Sequence, residues 1–349
     1  MYVESSGAPK KGGTMTDAAP VSLLDAHDIT KRYPDFTLQG LSLSIAPGEV
    51  LGFIGKNGAG KSTTIRALLG LVRLDGGDAS VLGVPANELS STKAGNAAKE
   101  QIGVVFDAVA LPSDFTVPWA AKLMRLAYAS WDDALFNHLL QRLGLDILDA
   151  GKDVDDLSHG MGMKLSLACA LAHRPRLLIL DEATAGLDPM ARDEVLDILR
   201  EFVGMEGPDG GPVNGVLMSS HITSDLDKIA DRILCIDEGR PVFEVNKDEV
   251  TDLMGIARCR AAEVEQLARA GVPGADDSGA GTGDSDAFPL FTLPRDYGFD
   301  VLVPDRFAFA EAHPEIALDR VTIDDYMAFR LKGRAAGAAT DGIAPMGGV

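Results

Sequence analysis

The chain has few cysteines and no long apolar run, and each shortage excludes a class of protein. Its three cysteines, Cys169, Cys235 and Cys259, lie far apart among apolar residues. Such spacing fits neither a zinc site nor a disulfide framework, so we expect a reducing cytoplasm. No run of about 18 apolar residues occurs, and residues 1–20 lack the apolar centre of a signal peptide. The sequence therefore predicts neither a membrane-spanning segment nor export by such a signal.

Positive charge is also scarce. Lys and Arg number 32 against 52 Asp and Glu, which gives a formal net charge of −20. A surface of this sign repels nucleic acid and anionic lipid, so we expect no nucleic-acid partner. With 349 residues, the chain is long enough for one large or two moderate domains.

Composition and periodicity divide the chain into segments. Apolar alternation from Leu23 to Ile45 predicts antiparallel strands, and the stretch EVLGFIGKNGAGKSTTIRALLGLV predicts a strand, a glycine loop and a helix from Lys61 to about Leu71. Helical periodicity follows in residues 112–150, with Leu123, Leu126 and Ala127 on one face and Leu135, Leu139, Leu140 and Leu143 on another. The expected segments are a flexible tail (1–20), a main domain (21–245) with a helical subdomain (107–175), a C-terminal extension (246–333) with a flexible acidic insertion (271–287), and a second flexible tail (334–349).

One motif matches the phosphate-binding pattern G-x-x-x-x-G-K-[ST]. Its glycines let backbone N–H groups converge on the β- and γ-phosphates of a nucleotide, Lys61 reaches the same oxygens, and the Ser62 hydroxyl binds Mg²⁺. A glycine-rich turn without a ligand is the alternative. The residues expected to contact nucleotide here are Gly55, Lys56, Asn57, Gly58, Ala59, Gly60, Lys61, Ser62 and Thr63.

Two apolar strands end in polar side chains. The strand LLIL is followed by Asp181 and Glu182, and the strand VLM precedes His221. Because ligands bind at the carboxyl end of parallel strands, we expect Asp181 to bind Mg²⁺ and Glu182 to orient an attacking water. His221 is placed to contact the γ-phosphate. A solvated acidic turn and a structural histidine are the alternatives.

In this order, over residues 23 to about 245, the motifs resemble those of the ATP-binding subunit of an ABC transporter. LSHGM, residues 157–161, resembles the family signature LSGGQ, with His159 and Met161 replacing Gly and Gln while Ser158 and Gly160 are retained. AGLD, residues 185–188, resembles the loop that couples two sites. His221 resembles the switch histidine. Tyr33 resembles the adenine-stacking aromatic, or is simply an edge-strand residue.

The resemblance also implies that two such domains pair head to tail. In that arrangement Ser158 and Gly160 contact the phosphate held by the other subunit's loop. At Asp107 similar proteins carry a glutamine that touches Mg²⁺, so Asp107 is a third expected metal ligand, or a surface residue of a degraded motif. The Asp107 variant, the signature and DEATAGLDP together resemble ABC-2-type exporter ATPases of Gram-positive bacteria.

The implied fold class is α/β: a P-loop NTPase core of ABC type with an antiparallel edge sheet, a helical subdomain and a small C-terminal extension. The implied reaction is ATP hydrolysis with Mg²⁺, in which Glu182, His221 and Lys61 are catalytic. The implied partners are a separate transmembrane permease subunit and a second ATPase subunit, in a homodimer or a heterodimer. The implied place is the cytoplasm, on the inner face of the plasma membrane. The alternatives are a soluble ABC ATPase acting on a macromolecular complex and an ATP-binding regulatory domain with little hydrolysis; the transported substrate and the role of the acidic insertion are open.

Overall fold

A computed structural model describes residues 22–145, 153–274, 289–296 and 298–335. The predicted tail at residues 1–20 lies outside these ranges, as do residues 275–287 of the predicted insertion and residues 336–349 of the second predicted tail. Within the insertion, Val272 is described and its side chain is buried. Arg334 and Ala335 form a short strand.

The N-terminal residues form an antiparallel sheet, as the alternation of apolar residues predicts. Its strands are β1 (Leu24–Arg32), β2 (Thr37–Ile45), β4 (Gly76–Val81) and β5 (Val84–Pro85). Their order is β2-β1-β4-β5, with Leu24 paired to both Ile45 and Val81. The apolar face of this sheet packs over α1 and the main sheet.

The main sheet is six-stranded and mostly parallel. Its strands are β3 (Val50–Ile54), β6 (Ile102–Val105), β7 (Leu177–Asp181), β8 (Gly215–Ser219), β9 (Arg232–Asp237) and β10 (Arg240–Asn246). The order is β10-β9-β3-β8-β7-β6, and only β10 runs antiparallel to its neighbour. Apolar runs fill β3, β7 and β8 because both faces of a parallel sheet are covered. The carboxyl ends of these three neighbouring strands meet at one edge.

Helices cover both faces of the main sheet. They are α1 (Lys61–Leu68), α2 (Lys93–Lys99), α3 (Val117–Ala127), α4 (Asp133–Arg142), α5 (His159–Ala172), α6 (Pro189–Val203) and α7 (Thr223–Ile229). Asp132, Ser158 and Asp188 each accept a hydrogen bond from a backbone N–H in the first turn of α4, α5 and α6, which fixes where these helices begin. Helices α3, α4 and α5 pack together between β6 and β7 in the sequence.

The extension that the sequence pattern leaves without a fold contains a third sheet. Its elements are β11 (Gly255–Cys259), α8 (Ala261–Ala270), β12 (Phe291–Arg295), β13 (Gly298–Val303), α9 (Arg306–Ala312), β14 (Leu318–Arg320), α10 (Ile323–Lys332) and β15 (Arg334–Ala335). The antiparallel strand order β14-β11-β13-β12 with the sequence βαββαβ is the ferredoxin-like topology. Strand β15 adds to the β12 edge.

This third sheet is joined to the main domain by a continuous core. Helix α10 lies against β10 and α7, where Tyr326 and Phe329 are buried in the same cluster as Phe243 of β10. The ring of Phe243 meets the ring of Tyr326 edge to face, with centroids 4.8 Å apart. The main domain and the C-terminal sheet therefore share packing beside α7, the helix that follows His221.

Candidate active site

The glycine loop between β3 and α1 adopts a conformation that only glycine allows at several positions. Gly58 and Gly60 have φ of +83° and +113°. A Cβ on Gly55 would lie 2.5 Å from the carbonyl oxygen of Ile236, and one on Gly60 would lie 2.8 Å from Cζ of Phe36. Because Gly60 directly precedes α1, the loop brings its backbone N–H groups to the positive end of that helix, which is the environment that a phosphate needs.

A cavity of about 550 Å³ opens over this loop. The carboxyl ends of β7 and β8 supply its far wall. The lining residues are Phe36, Lys56, Asn57, Gly58, Gly60, Lys61, Ser62, Thr63, Asp107, Glu182, Ala185 and His221. Most of the residues that the motif predicts for nucleotide therefore share one cavity with Glu182, His221 and Asp107, which are far away in the sequence.

Glu182 is the centre of the polar contacts in this cavity. Its Oε1 lies 3.3 Å from Nζ of Lys61, and its Oε2 lies 2.6 Å from Nδ1 of His221. The backbone N–H of His221 donates to the same Oε2 at 3.2 Å. Glu182 also has a φ of +56°, a conformation that a non-glycine residue adopts at a cost. The fold thus holds a carboxylate between a cation and an imidazole, with its backbone strained to do so.

Asp181 lies beneath the cavity at the end of β7. Its carboxylate is buried and accepts a hydrogen bond of 2.6 Å from the hydroxyl of Ser219, at the end of β8. Sequence reasoning did not select Ser219. The signal available for it was its position at the end of an apolar strand, two residues before His221.

Two of the three side chains expected to bind Mg²⁺ line this cavity, and the third, Asp181, immediately precedes the lining residue Glu182. Ser62 and Asp107 line the cavity, and Asp181 lies below it. Among the residues that the structure describes, no group of three or more His, Cys, Asp or Glu side chains is arranged to hold a metal ion. This donor set fits Mg²⁺, which takes one or two protein oxygens and completes its shell with phosphate oxygens and water.

The aromatic residue at the cavity differs from the sequence-based expectation. Tyr33 is 42 % exposed, and Nζ of Lys31 lies over its ring, 5.6 Å from the ring centroid. Tyr33 is not among the residues that line the cavity. Phe36, three residues later, lines the cavity and contacts Gly60 instead. The two strands β1 and β2 are joined between Arg32 and Thr37, so the path of this turn decides which ring reaches the loop.

The signature residues Ser158 and Gly160 are not in this cavity. Ser158 caps α5 by accepting a hydrogen bond from the N–H of Met161. A Cβ on Gly160 would lie 3.3 Å from the carbonyl oxygen of Gly186, and a Cβ on Gly186 would lie 2.9 Å from Cδ2 of His159. The start of α5 therefore lies against residues 185–188, and its exposed amide end is presented outside the subunit's own phosphate loop.

Two carboxyl groups outside the cavity lining have shifted pKa values. The N–H of Ala191 and the charge of Lys164 hold the pKa of Asp188 below its usual range, so Asp188 is ionised at neutral pH. Burial raises the pKa of Asp225 in α7, against the opposing effect of contact with the Thr184 hydroxyl and of the Arg192 charge. Both residues flank segments that carry Glu182 and His221.

Comparisons with known proteins agree with this architecture. A protein-family model described as ABC transporter matches residues 38–185. The Nod factor export ATP-binding protein I of Burkholderia lata is 34 % identical over 229 residues, covering 64 % of this chain and 71 % of the relative. The corresponding protein of Rhizobium meliloti is 34 % identical over 232 residues, covering 65 % of each. In the part of the chain that the structure describes, no helix is long and apolar enough to cross a membrane.

Solved structures show the same fold. An ATP-binding subunit of an ABC transporter is 25 % identical with a TM-score of 0.56, covering 65 % of this chain and 91 % of its own. The protein cbiO1 of Clostridium perfringens, part of a transporter complex, is 25 % identical with a TM-score of 0.53, covering 70 % and 94 %. A dimeric ATP-binding cassette bound to ADP and phosphate is 20 % identical with a TM-score of 0.56, covering 64 % of this chain and 98 % of its own. At this identity the likeness supports the fold and nothing further. The chain belongs to the ABC transporter family as an ATP-binding subunit, an ATPase whose hydrolysis of ATP is coupled to transport.

Proposed function

We propose that this subunit powers an exporter, that it works in a pair of ATPase subunits, and that it drives a separate membrane subunit. The observation that carries the proposal of a hydrolytic, transport-powering site is the contact of Glu182 with both Lys61 and His221 in the cavity over the phosphate loop. This arrangement places a carboxylate, a cation and an imidazole around the point where the last phosphate of a nucleotide would enter. Export is inferred from the relatives, which are named as export ATP-binding proteins.

In the proposed reaction the loop amides and Lys61 bind the phosphates of ATP at the N-terminus of α1. Glu182 accepts a hydrogen bond from water and orients it toward the γ-phosphate, and His221 holds Glu182 in place while contacting the same phosphate. Mg²⁺ would be held by Ser62, Asp181 and Asp107, and when bound it supplies positive charge that offsets the charge of the phosphates. The Ser219 hydroxyl fixes the orientation of Asp181.

The site is proposed to be completed by a second ATPase subunit. Ser158 and Gly160 lie outside their own cavity, with the amide end of the 14-residue helix α5 directed outward. The positive end of a helix and a hydroxyl group suit a phosphate. In a head-to-tail pair these groups would close over the γ-phosphate of the other subunit.

The proposed partner in the membrane docks on α3. Trp119, Leu123 and Leu126 are exposed at spacings of four and three residues, which puts them on one side of the helix. Exposed large apolar side chains grouped in this way are typical of an interaction surface. The subunit would thus lie in the cytoplasm against the inner face of the plasma membrane.

Light scattering after size exclusion tests the paired site. A Glu182→Gln protein is measured with and without Mg-ATP, because loss of the carboxylate should slow hydrolysis and preserve the ATP-bound state. We expect ATP to produce a dimer. Ser158→Arg in the same background should abolish it, and Ser91→Arg, at an exposed serine outside the site, should leave it intact.

A monomer that nevertheless binds ATP would overturn the homodimeric form of the proposal. Purified wild-type protein that binds ATP without turnover would overturn the proposed hydrolytic site and favour a regulatory ATP-binding domain. Retention with membranes only when the permease is co-expressed would support the membrane partner.

A further inference from the structure

A polar cluster with two buried members and one partly exposed member lies behind the contact between Glu182 and His221. It consists of Thr184, two residues after Glu182, Arg192 in α6 and Asp225 in α7, four residues after His221. Thr184 and Asp225 are among the buried polar side chains of the chain. The three side chains come from three different segments, and two of those segments carry the proposed catalytic residues.

The contacts in this cluster are directional but loose. Nε of Arg192 lies 3.6 Å from Oδ2 of Asp225, and Nη2 of Arg192 donates to the carbonyl oxygen of Leu187 at 3.4 Å. Within the described residues, Thr184 Oγ1, Arg192 Nε and Asp225 Oδ2 have no hydrogen bond of ordinary length. Arg192 is therefore a bridge between loop 185–188 on one side and α7 on the other.

Helix pairing alone does not account for this buried charge. Lys228 of α7 and Asp193 of α6 already join the same two helices by an exposed ion pair of 2.6 Å. Burying the Asp225 carboxylate beside a guanidinium that stays 24 % exposed is costly, and a well-packed apolar pair is often at least as stabilising. Buried polar groups with incomplete hydrogen bonding are rare and call for an explanation.

The cluster is connected to His221 through the turn that begins α7. The N–H of Asp225 donates to the carbonyl oxygen of Ile222 at 3.2 Å, and the N–H of Ile222 donates to the Ser220 hydroxyl at 2.9 Å. His221 lies between Ser220 and Ile222. A shift of Asp225 therefore moves the backbone that holds the His221 ring against Glu182.

We infer that Asp225 is a positioning residue: by holding Arg192 and loop 185–188, it keeps the turn at His221 in register with Glu182. This inference rests on the proposed roles of Glu182 and His221. Asp225 does not touch the reacting atoms. It acts on the 2.6 Å contact between His221 and Glu182.

The test is the steady-state ATPase of Asp225→Asn, with Asp193→Asn as the matched control. Both changes remove one carboxylate charge between α6 and α7, but Asp193 pairs only at the surface. We expect Asp225→Asn to lower kcat about tenfold with KM for ATP within about twofold, since a small misplacement of catalytic groups acts on the chemical step. Asp193→Asn should keep kcat within about twofold of the wild type.

Three further variants, Arg192→Lys, Arg192→Gln and the double variant, test whether Asp225 acts through its contact with Arg192. Arg192→Lys keeps the charge but loses the planar fork that reaches both Asp225 and Leu187, so kcat should fall between the wild-type and Asp225→Asn values. Arg192→Gln combined with Asp225→Asn should be no slower than the slower single variant, because both act through one contact. Additive losses would overturn the proposed route.

A purely structural role of Asp225 would lower the number of folded, ATP-binding molecules and leave the rate per bound ATP unchanged. The thermal midpoint and the number of ATP molecules bound per chain are therefore measured for each variant, so that kcat is expressed per competent site. Nitrogen NMR of histidine-labelled protein, with the His221 signal assigned from His221→Gln, reports the hydrogen bond at Nδ1. A shift of this signal in Asp225→Asn but not in Asp193→Asn supports positioning.

The inference is overturned if kcat per bound ATP in Asp225→Asn equals that of Asp193→Asn. If Asp225→Asn does not fold, Asp225→Glu, which keeps the charge and displaces it by one methylene, replaces it in the same comparison. Glu182→Gln distinguishes failure of the proposed function from failure of the positioning role. A wild-type protein without turnover contradicts the proposed function. Only the positioning role is contradicted if the wild type hydrolyses ATP, Glu182→Gln is inactive and Asp225→Asn is fully active.

Discussion

A buried histidine shows how one residue couples the helical subdomain to the main sheet. The ring of His173, at the end of α5, has Nδ1 3.4 Å from the carbonyl oxygen of Cys169 and Nε2 3.2 Å from that of Ile102 in β6. It also stacks on Tyr128, with centroids 3.9 Å apart. A neutral imidazole donates from one nitrogen only, so one of the two carbonyl contacts is unfavourable. Burial nevertheless lowers the pKa of His173, which makes the neutral ring the folded form.

This residue should make the stability of the protein depend on pH. The pKa of His173 is lower in the folded protein than its unfolded value of about 6.5, so the unfolded chain takes up the proton first as the pH falls. The contribution of His173 to the unfolding free energy is therefore fully present above about pH 6.5 and is lost as the pH falls toward the folded pKa. We expect the unfolding free energy to fall more in the wild type than in His173→Gln as the pH is lowered from about 7.5 to about 5.5. Urea unfolding at both pH values measures this, with His138→Gln at an exposed position of α4 as control. Parallel curves for wild type and His173→Gln would contradict it.

At the scale of single elements, helix α3 buries a different face from the one that its sequence favours. The periodicity groups Leu123, Leu126 and Ala127, but the residues of α3 that are buried are the smaller Val117, Ala120 and Ala121. Leu126 is 80 % exposed and Trp119 is 51 % exposed. Small residues let α3 approach its neighbours closely, and the larger apolar residues are left on the outside. Periodicity identifies an apolar face without saying which molecule covers it.

We expect Leu126→Glu to separate ATP hydrolysis from membrane attachment. A charge at this exposed position should leave the ATPase rate of the isolated subunit within about twofold, because nothing buried is changed. It should remove the subunit from the membrane fraction of cells that also make the permease, since a carboxylate opposes apolar docking. Sedimentation followed by immunoblotting measures the distribution. Leu71→Glu, at another exposed leucine, is the control, and equal retention of both variants would contradict docking through α3.

At the scale of the whole molecule, one arginine ties the C-terminal sheet to the main domain. The guanidinium of Arg330 in α10 lies 5.6, 5.2 and 5.7 Å from the ring centroids of Phe243, Phe291 and Tyr326. It also donates to the Tyr326 hydroxyl at 2.9 Å and to the carbonyl oxygen of Val242 at 3.2 Å. These partners come from β10 of the main domain and from β12 and α10 of the extension. The extension is thus held against the helix that follows His221.

Replacing this arginine should loosen the junction without unfolding either sheet. Arg330→Met keeps the length of the side chain and loses the charge and both hydrogen bonds, so we expect the unfolding free energy to fall by about 1–3 kcal/mol. Hydrogen exchange should accelerate first in the amides of α10. Arg269→Met on α8, where the arginine is largely exposed, is the matched control. Unchanged exchange in α10 would contradict the role of Arg330 at the junction.

Local patterns were enough to predict the loop and the elements around it. Each of these features depends only on residues that are neighbours in the sequence. They are the glycines with positive φ, the helix from Lys61, the capped helix after Ser158, and the apolar strands that end at Asp181 and before His221. The α/β fold class, which the resemblance of these motifs to a known family implied, is confirmed by the solved relatives. Short-range sterics and hydrogen bonding determine these elements, so they can be predicted from the local sequence.

Contacts between distant segments were beyond such patterns. Four features depend on how the elements pack against one another. They are the presence of Phe36 rather than Tyr33 at the cavity, the exposed apolar side of α3, the ferredoxin-like sheet, and the cluster of Thr184, Arg192 and Asp225. At the cavity and on α3 more than one residue fits the local pattern, and the packing of the folded chain selects among them. Periodicity says that a side chain is apolar or polar, whereas the tertiary fold sets which other group it meets.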